Sequence, residues 1–280
     1  MKKSFYSLLL ILLISTSMSS YSQQKLNVMT FNIRMETVQD GENQWAKRKE
    51  NLSSMLDFYE ADICGMQEVL VGQIRDLTKL LPNYAYVGVG RDDSKEGGEF
   101  SPIFYRKDKF TILESNTFWL SQTPDVPSKS WDAALNRIVT YAKFRDNKTK
   151  KVFYFFNTHF DHIGQVARRE SAKMLVAKIK AVDAKIPVIL TGDFNSTPTE
   201  EPTVIINAGL IDTEKVTSTP HFGPVSTFNG FQAKEIEGKL IDYIFLNTDK
   251  IKVLKHGTLS NTWNGRFASD HHAVFAQLAF

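Results

Sequence analysis

Apolar and polar positions along this chain follow two periods in turn. Runs with strand character recur at Lys25–Asn32, Asp62–Gln67, Ala85–Gly90, Ser101–Tyr105, Ile138–Phe144, Lys151–Asn157, Pro187–Thr191, Leu240–Leu246, Ile251–His256 and His272–Leu278. The run PVILT at 187–191 is nearly all apolar, as expected of a strand covered on both faces. A helical stripe runs through Trp45, Leu52, Met55, Leu56 and Tyr59, a second segment over 74–81 stops at Pro82, and Gln165–Val182 carries Leu175, Ile179 and Val182 on one face. Many strands with fewer helices predict a layered α/β or α+β fold. No repeat or low-complexity linker interrupts the pattern, so residues 23–280 read as a single domain.

The first residues break that pattern. Lys2 and Lys3 precede the apolar run Leu8–Ile14, and small polar residues follow up to Ser22. This is the layout of a secretory signal peptide over residues 1–22, and the run is too short to span a bilayer. The expected product is exported, periplasmic or secreted, with no membrane span after leader removal. Cys64 is the only cysteine, so no internal disulfide can form. The formal charge of +3 falls to +1 once the two leader lysines are removed. Hydrophobic residues at 42% allow a sizeable core, and there is no dense Lys/Arg run of the kind that clamps long nucleic acid.

The chemistry sits where strands end. The first strand closes on Asn32 and the second on Gln67-Glu68. Lys151–Asn157 runs into Thr158-His159-Phe160-Asp161-His162, and PVILT into Gly192-Asp193-Phe194-Asn195. Singly, each has a plain structural explanation: Asn32 and Asn195 as turn residues, Asp193 or Glu68 as helix caps, a histidine as a half-buried core group. Asp242 is different. Flanked by Leu240, Ile241, Ile244 and Phe245, its carboxylate is costly to bury without a partner, and Asp270-His271 supplies one. Together these residues fit phosphate-ester hydrolysis. Glu, Asp and Asn oxygens suit Mg²⁺ or Mn²⁺, and a carboxylate-held histidine is a tunable acid–base group. There is no Gly-x-Ser-x-Gly elbow and no His-Glu-x-x-His helix.

The ordered blocks TFN (30–32), QEV (67–69), THFDH (158–162), GDFNSTP (192–198), IDYIF (241–245) and SDHHAV (269–274) resemble the endonuclease/exonuclease/phosphatase superfamily over nearly the whole chain from Lys25. The resemblance implies a four-layer sandwich, two mixed β-sheets face to face with helices outside. It also implies a metal held by Glu68 directly and by Asn32 directly or through water, with Asp270 beside it, by default one Mg²⁺ or Mn²⁺ ion with a second allowed. His159 is then expected at the scissile phosphate, Asp193 at the attacking water and Asn195 on a phosphoryl oxygen. Asp242 is expected to orient His271. Water attacks in line, with no covalent intermediate. Arg137 is the expected phosphate-binding cation, by likeness to nucleases of the superfamily.

The segments GRDDSKEGGEFSPIFY (90–105), FWLS (118–121) and WDAALNR (131–137) resemble a branch of exported bacterial hydrolases. The roles of Arg91 and Glu99 in the first segment stay open between a solvated turn and the site. Trp119, Trp131, Phe228 and Phe231 are candidates for stacking on a sugar or base. The loop content and the near-neutral charge favour a phosphoesterase acting on a small or glycan-linked phosphate ester, and the chain is expected to be a monomer. A secreted nuclease and an inactive ligand-binding protein are the competing expectations.

Overall fold

The computed structural model describes residues 25–280; the expected signal peptide lies outside the described residues. Strand β1 (Lys25–Asn32) sets the plan. Its alternate side chains Leu26 and Val28 face one core, and Met29 and Phe31 face another. After it come α1 (Trp45–Phe58), β2 (Ile63–Gln67), α2 (Val71–Leu80), β3 (Tyr84–Val87) and β4 (Ile103–Arg106). The second half contains β5 (Phe110–Trp119), β6 (Ile138–Asp146), β7 (Val152–His159), α3 (Gln165–Lys180), β8 (Val188–Asp193), α4 (Glu201–Asn207), β9 (Ile211–Asp212), α5 (Thr213–Val216) and β10 (Asp242–Leu246). The chain closes with β11 (Lys252–Leu259), the small hairpin β12 (Thr262–Trp263) and β13 (Arg266–Phe267), and β14 (Ala273–Ala279).

One sheet has the order β11-β14-β1-β2-β4-β3 and the other β5-β6-β7-β8-β10-β9. Each contains one parallel pair, β1 with β2 and β7 with β8, bridged by a helix; the remaining pairings are antiparallel. The inner faces meet in a core of Val28, Ile63, Phe144, Phe153, Phe155 and Ile244. Helices α1 and α2 cover the outer face of the first sheet, and α3 and α4 that of the second. This is the four-layer sandwich the resemblance implies. No described helix is long and apolar enough to cross a membrane.

The sequence pattern predicts no strand between Tyr105 and Ile138, yet β5 fills ten residues of that gap. It is an edge strand with an exposed middle, and a register shift between Ile112 and Glu114 breaks its alternation. Helix α2 begins at Val71, ahead of the predicted 74, because the Gln73 side chain accepts from the Leu70 N–H at 3.0 Å and caps the earlier start.

Between the apolar core and the strand ends lies a buried polar layer. Asn157 donates to the carbonyls of Met66 (2.7 Å) and Pro102 (3.0 Å), and its own oxygen accepts from Gln67 (2.7 Å) and Thr191 (3.0 Å). The sheets approach so closely here that a Cβ on Gly65 would stand 2.2 Å from Thr191 Oγ1, so only glycine fits.

Candidate active site

Strand register brings the strand-end residues together. His159 on β7 is level with Asp193 on β8, and Asp193 with Asp242 on β10, so the three stand side by side on the inner face. Asn32, from the opposite sheet, donates to Asp193 Oδ2 at 2.9 Å and to Glu68 Oε1 at 3.0 Å. His271, just ahead of β14, places Nδ1 2.9 Å from Asp242 Oδ2 and Nε2 3.8 Å from Asp193 Oδ2. Asn195 puts its amide nitrogen 3.0 Å from His159 Nε2. Three residues that follow strand ends, Arg34, Glu68 and Asn195, adopt left-handed backbone with φ of 57°, 62° and 45°. Such conformations store strain that surrounding contacts must hold, and they cluster at functional sites.

Burial and charge set the protonation states. Burial raises Asp193, and the Asp242 charge raises it further, with His271 opposing. Burial alone would lower His271, but the Asp242 carboxylate and its hydrogen bond overcome it, so the imidazolium persists well above neutral pH. His159 goes the other way, held neutral by burial and by the charges of Arg137 and Arg91. Burial also raises Asp270. Glu68 is lowered because the hydrogen bond from Asn32 and the positive groups around it outweigh its burial. The site therefore presents a cationic and a neutral histidine on either side of a carboxylate that titrates unusually high.

Two groups of side chains could receive a cation. Asp193, Asp242 and His271 have ligand atoms within 4.8 Å of one another. A protonated imidazole offers no lone pair, however, and His271 is committed to Asp242 in that form. Glu68 and Asp270 are hard-oxygen donors that already converge on a positive group: the Arg34 guanidinium lies 3.9 Å from Glu68 Oε2 and 3.8 Å from Asp270 Oδ2. Their chemistry fits Mg²⁺ or Mn²⁺. Asn32 is already engaged within the protein. Its oxygen accepts from the Arg34 N–H at 3.0 Å and its NH₂ bridges two carboxylates, so it positions Glu68 and Asp193.

Arg137 precedes β6 and is 96% buried, so it is no surface ion pair. Its Nε lies 3.4 Å from Asp161 and Nη2 2.9 Å from His162 Nδ1. Its Nη1, like His159 Nδ1, is buried without a hydrogen-bond partner among the described residues. A buried donor without a partner calls for one, and both residues line the cavity. Glu99 joins the site, 2.7 Å from Arg91 and 3.9 Å from His159 Nδ1. Trp119 does not: it is buried and donates its indole N–H to the Arg91 carbonyl. Phe228 meets His271 edge to face at 5.1 Å, while Phe231 lies 5.9 Å from the Arg48 guanidinium. Arg34, just past β1, and Lys239, in the loop ahead of β10, also line the cavity and carry no sequence signal, since a lone basic residue in a loop resembles any surface cation. The cavity, about 500 Å³, is walled by Arg34, Glu68, Arg137, His159, Asp193 and His271, among others.

A family model described as Endonuclease/Exonuclease/phosphatase family matches residues 29–271. A mannosyl-6-phosphatase from Bacteroides thetaiotaomicron is similar in structure, with 38% identity over 91% of this chain and 100% of that one, TM-score 0.87. An endonuclease/exonuclease/phosphatase from Bacteroides vulgatus gives 40% identity over 92% and 99%, TM-score 0.88. Among curated proteins, the CCR4-Not complex 3'-5'-exoribonuclease subunit Ccr4 of Mycosarcoma maydis is 24% identical over 63% of this chain and 34% of its own length. The matches span 60% or less of the first curated relatives.

Proposed function

The chain belongs to the endonuclease/exonuclease/phosphatase family, and from that membership we propose that it is an exported, metal-dependent phosphoesterase acting on a small or glycan-linked phosphate ester. The observation that carries the reading is the cavity itself. It sets two hard carboxylates, Glu68 and Asp270, beside a protonated His271, a neutral His159 and the unpaired Arg137 Nη1. That combination can neutralise a phosphoryl group and manage two protons. The likeness to a mannosyl-6-phosphatase supports a sugar-linked substrate, and the layout of residues 1–22 supports export.

Glu68 and Asp270 would hold the ion, Mg²⁺ or Mn²⁺, which would supply positive charge to the phosphoryl oxygens. Asn32 keeps Glu68 and Asp193 in place. Asp193 takes a proton from water as the water oxygen bonds to phosphorus and the ester P–O bond opens in line. His271, kept charged by Asp242, donates to a phosphoryl oxygen, and Asn195 and His159 hold the phosphoryl group from the other side. The departing alkoxide takes a proton from solvent water and leaves as the alcohol, and the proton held on Asp193 returns to solvent, so the step balances.

A panel of sugar phosphates, nucleotides, inositol phosphates, phospholipid headgroups, plasmid DNA and RNA, assayed in Mg²⁺ or Mn²⁺ with and without chelator, tests this. We expect turnover of sugar phosphates that chelator abolishes, with polymers left intact. Degradation of DNA or RNA at comparable rates would make the protein a nuclease, in line with its likeness to the Ccr4 subunit. No turnover of any ester would make it a binding protein.

A further inference from the structure

Arg34 is held more firmly than a cavity-wall cation needs to be. It leaves β1 two residues after Asn32 in left-handed backbone, φ 57°. Two buried side chains fix that backbone: the Arg34 carbonyl accepts from Arg48 Nη2 at 2.7 Å and from Gln73 Nε2 at 3.0 Å. Asp40, in the 3₁₀ segment Val38–Asn43, then grips the guanidinium bidentately, taking Nε at 3.2 Å and Nη2 at 3.0 Å. Nη1 is left without a hydrogen bond among the described residues, 3.9 Å from Glu68 and on the cavity wall. The side chain is 28% exposed, so a ligand can reach it.

Arg137, whose Nη1 is also without a hydrogen bond among the described residues, lines the same cavity from the other sheet. A phosphate monoester brings three non-bridging oxygens and close to two negative charges; a diester brings two oxygens and one charge. Where one guanidinium and the histidines suffice for a diester, the extra fixed donor matches the third oxygen. A diester would turn its second substituent toward one of these N–H groups and leave it unpaired. The diester then forgoes one charge-assisted hydrogen bond that the monoester makes, and that difference is what separates the two substrates.

We propose that Arg34 makes this site selective for phosphate monoesters over diesters, by offering Nη1 to a terminal phosphoryl oxygen beside Glu68 and Asp270. The proposal deepens the phosphoesterase reading and, for its kinetic test, rests on it.

The test compares p-nitrophenyl phosphate with methyl p-nitrophenyl phosphate, which share a leaving group and differ by one methyl and one charge. Wild-type protein should prefer the monoester. Arg34→Met should lower monoester kcat/KM on the order of 10–100-fold and diester kcat/KM by less than ~3-fold, since one charge-assisted hydrogen bond is removed from one substrate only. Arg34→Lys, which keeps the charge but not the fork to Asp40, should recover part of the preference. Equal losses on both esters would overturn the proposal, because Arg34 would then act only by arranging Glu68 and Asp270. If the wild type cleaves neither aryl ester, the substrate panel above decides the phosphoesterase reading, and binding decides Arg34. Calorimetric titration in Mg²⁺ with inorganic phosphate and with dimethyl phosphate should then show Arg34→Met weakening phosphate alone. Equal weakening, or none, would remove the selectivity from Arg34.

Discussion

Along the inner face of β7, Phe153 and Phe155 at one end pack among Phe144, Ile189 and Ile244. Asn157 and His159, at the other end of the same face, instead bond to Met66, Pro102 and Asn195. β1 repeats the change from Leu26 and Val28 to Thr30 and Asn32, and β8 from Ile189 to Thr191 and Asp193. The period of two never breaks; only the chemistry of the inward residues does. The apolar end gains about 1.5–3 kcal/mol for each large side chain it removes from water, with little demand on direction. The polar end gathers Asp193, Asp242 and His271 out of water, which costs stability unless each finds a partner. Stability and chemistry are thus separated along the length of the same strands, with the Asn157 layer between them.

The largest effect should come from Asp193→Asn. Electrostatic and proton-transfer roles together predict a loss on the order of 10³-fold in kcat. Stability should move the opposite way. The folded pKa of Asp193 lies above its unfolded value, chiefly through burial and then the Asp242 charge, so above the usual carboxylate range the ionised group opposes folding. A neutral amide removes that cost, and Tm at neutral pH should hold or rise. A kcat loss under ~10-fold, ~1.4 kcal/mol of barrier, would take Asp193 out of the chemistry. A clear drop in Tm would show that the polar end also carries the fold.

Phe155→Ala probes the apolar end. The ring is fully buried, and its removal should cost about 3–5 kcal/mol of unfolding free energy in a denaturant titration. Activity per folded molecule, measured well below Tm, should stay within ~2-fold, since Phe155 lies four residues from His159 and distant sites act independently. A parallel fall in kcat would mean that β7 transmits packing to the site and that the two ends are one unit.

This division explains what the sequence discloses. The strand-end polar residues are legible because they continue an inward-facing alternation that solvent would not require, and Asp242 stands out because an isolated carboxylate in an apolar strand needs a partner. His271 proves to be that partner. Less legible is anything fixed by tertiary context. β5 is hidden by its bulge and exposed middle. Glu99 sits in a loop whose composition fits a solvated turn equally well, and only the fold brings it to His159. The sequence puts Asn32 at a strand end, but the direction of its amide depends on two carboxylates, one of them 161 residues away. Arg34 escapes notice because its role comes from a backbone conformation and from Asp40, Arg48 and Gln73, which no local pattern connects.

His256 on β11 gives the smallest test, of a buried ionisable group outside the site. Burial pushes its pKa down to about 3, with the charges of His221 and Lys215 adding to the effect, and its Nδ1 lies 3.0 Å from His221 Nδ1. Because the folded value is depressed, the unfolded chain takes up a proton below about pH 6.5 that the folded chain refuses. The stability contribution is therefore complete above that pH and lost as pH falls toward about 3. At pH 5 the loss is about 2 kcal/mol, from roughly 1.5 pH units at ~1.36 kcal/mol each. His256→Gln cannot protonate, so its loss of unfolding free energy between about pH 7 and pH 5 should be smaller than wild type by about that amount, with kcat at neutral pH unchanged. Identical pH slopes for the two proteins would mean that the folded chain accommodates the imidazolium, as it does at His271, and that only the polar end distinguishes charged from neutral histidine.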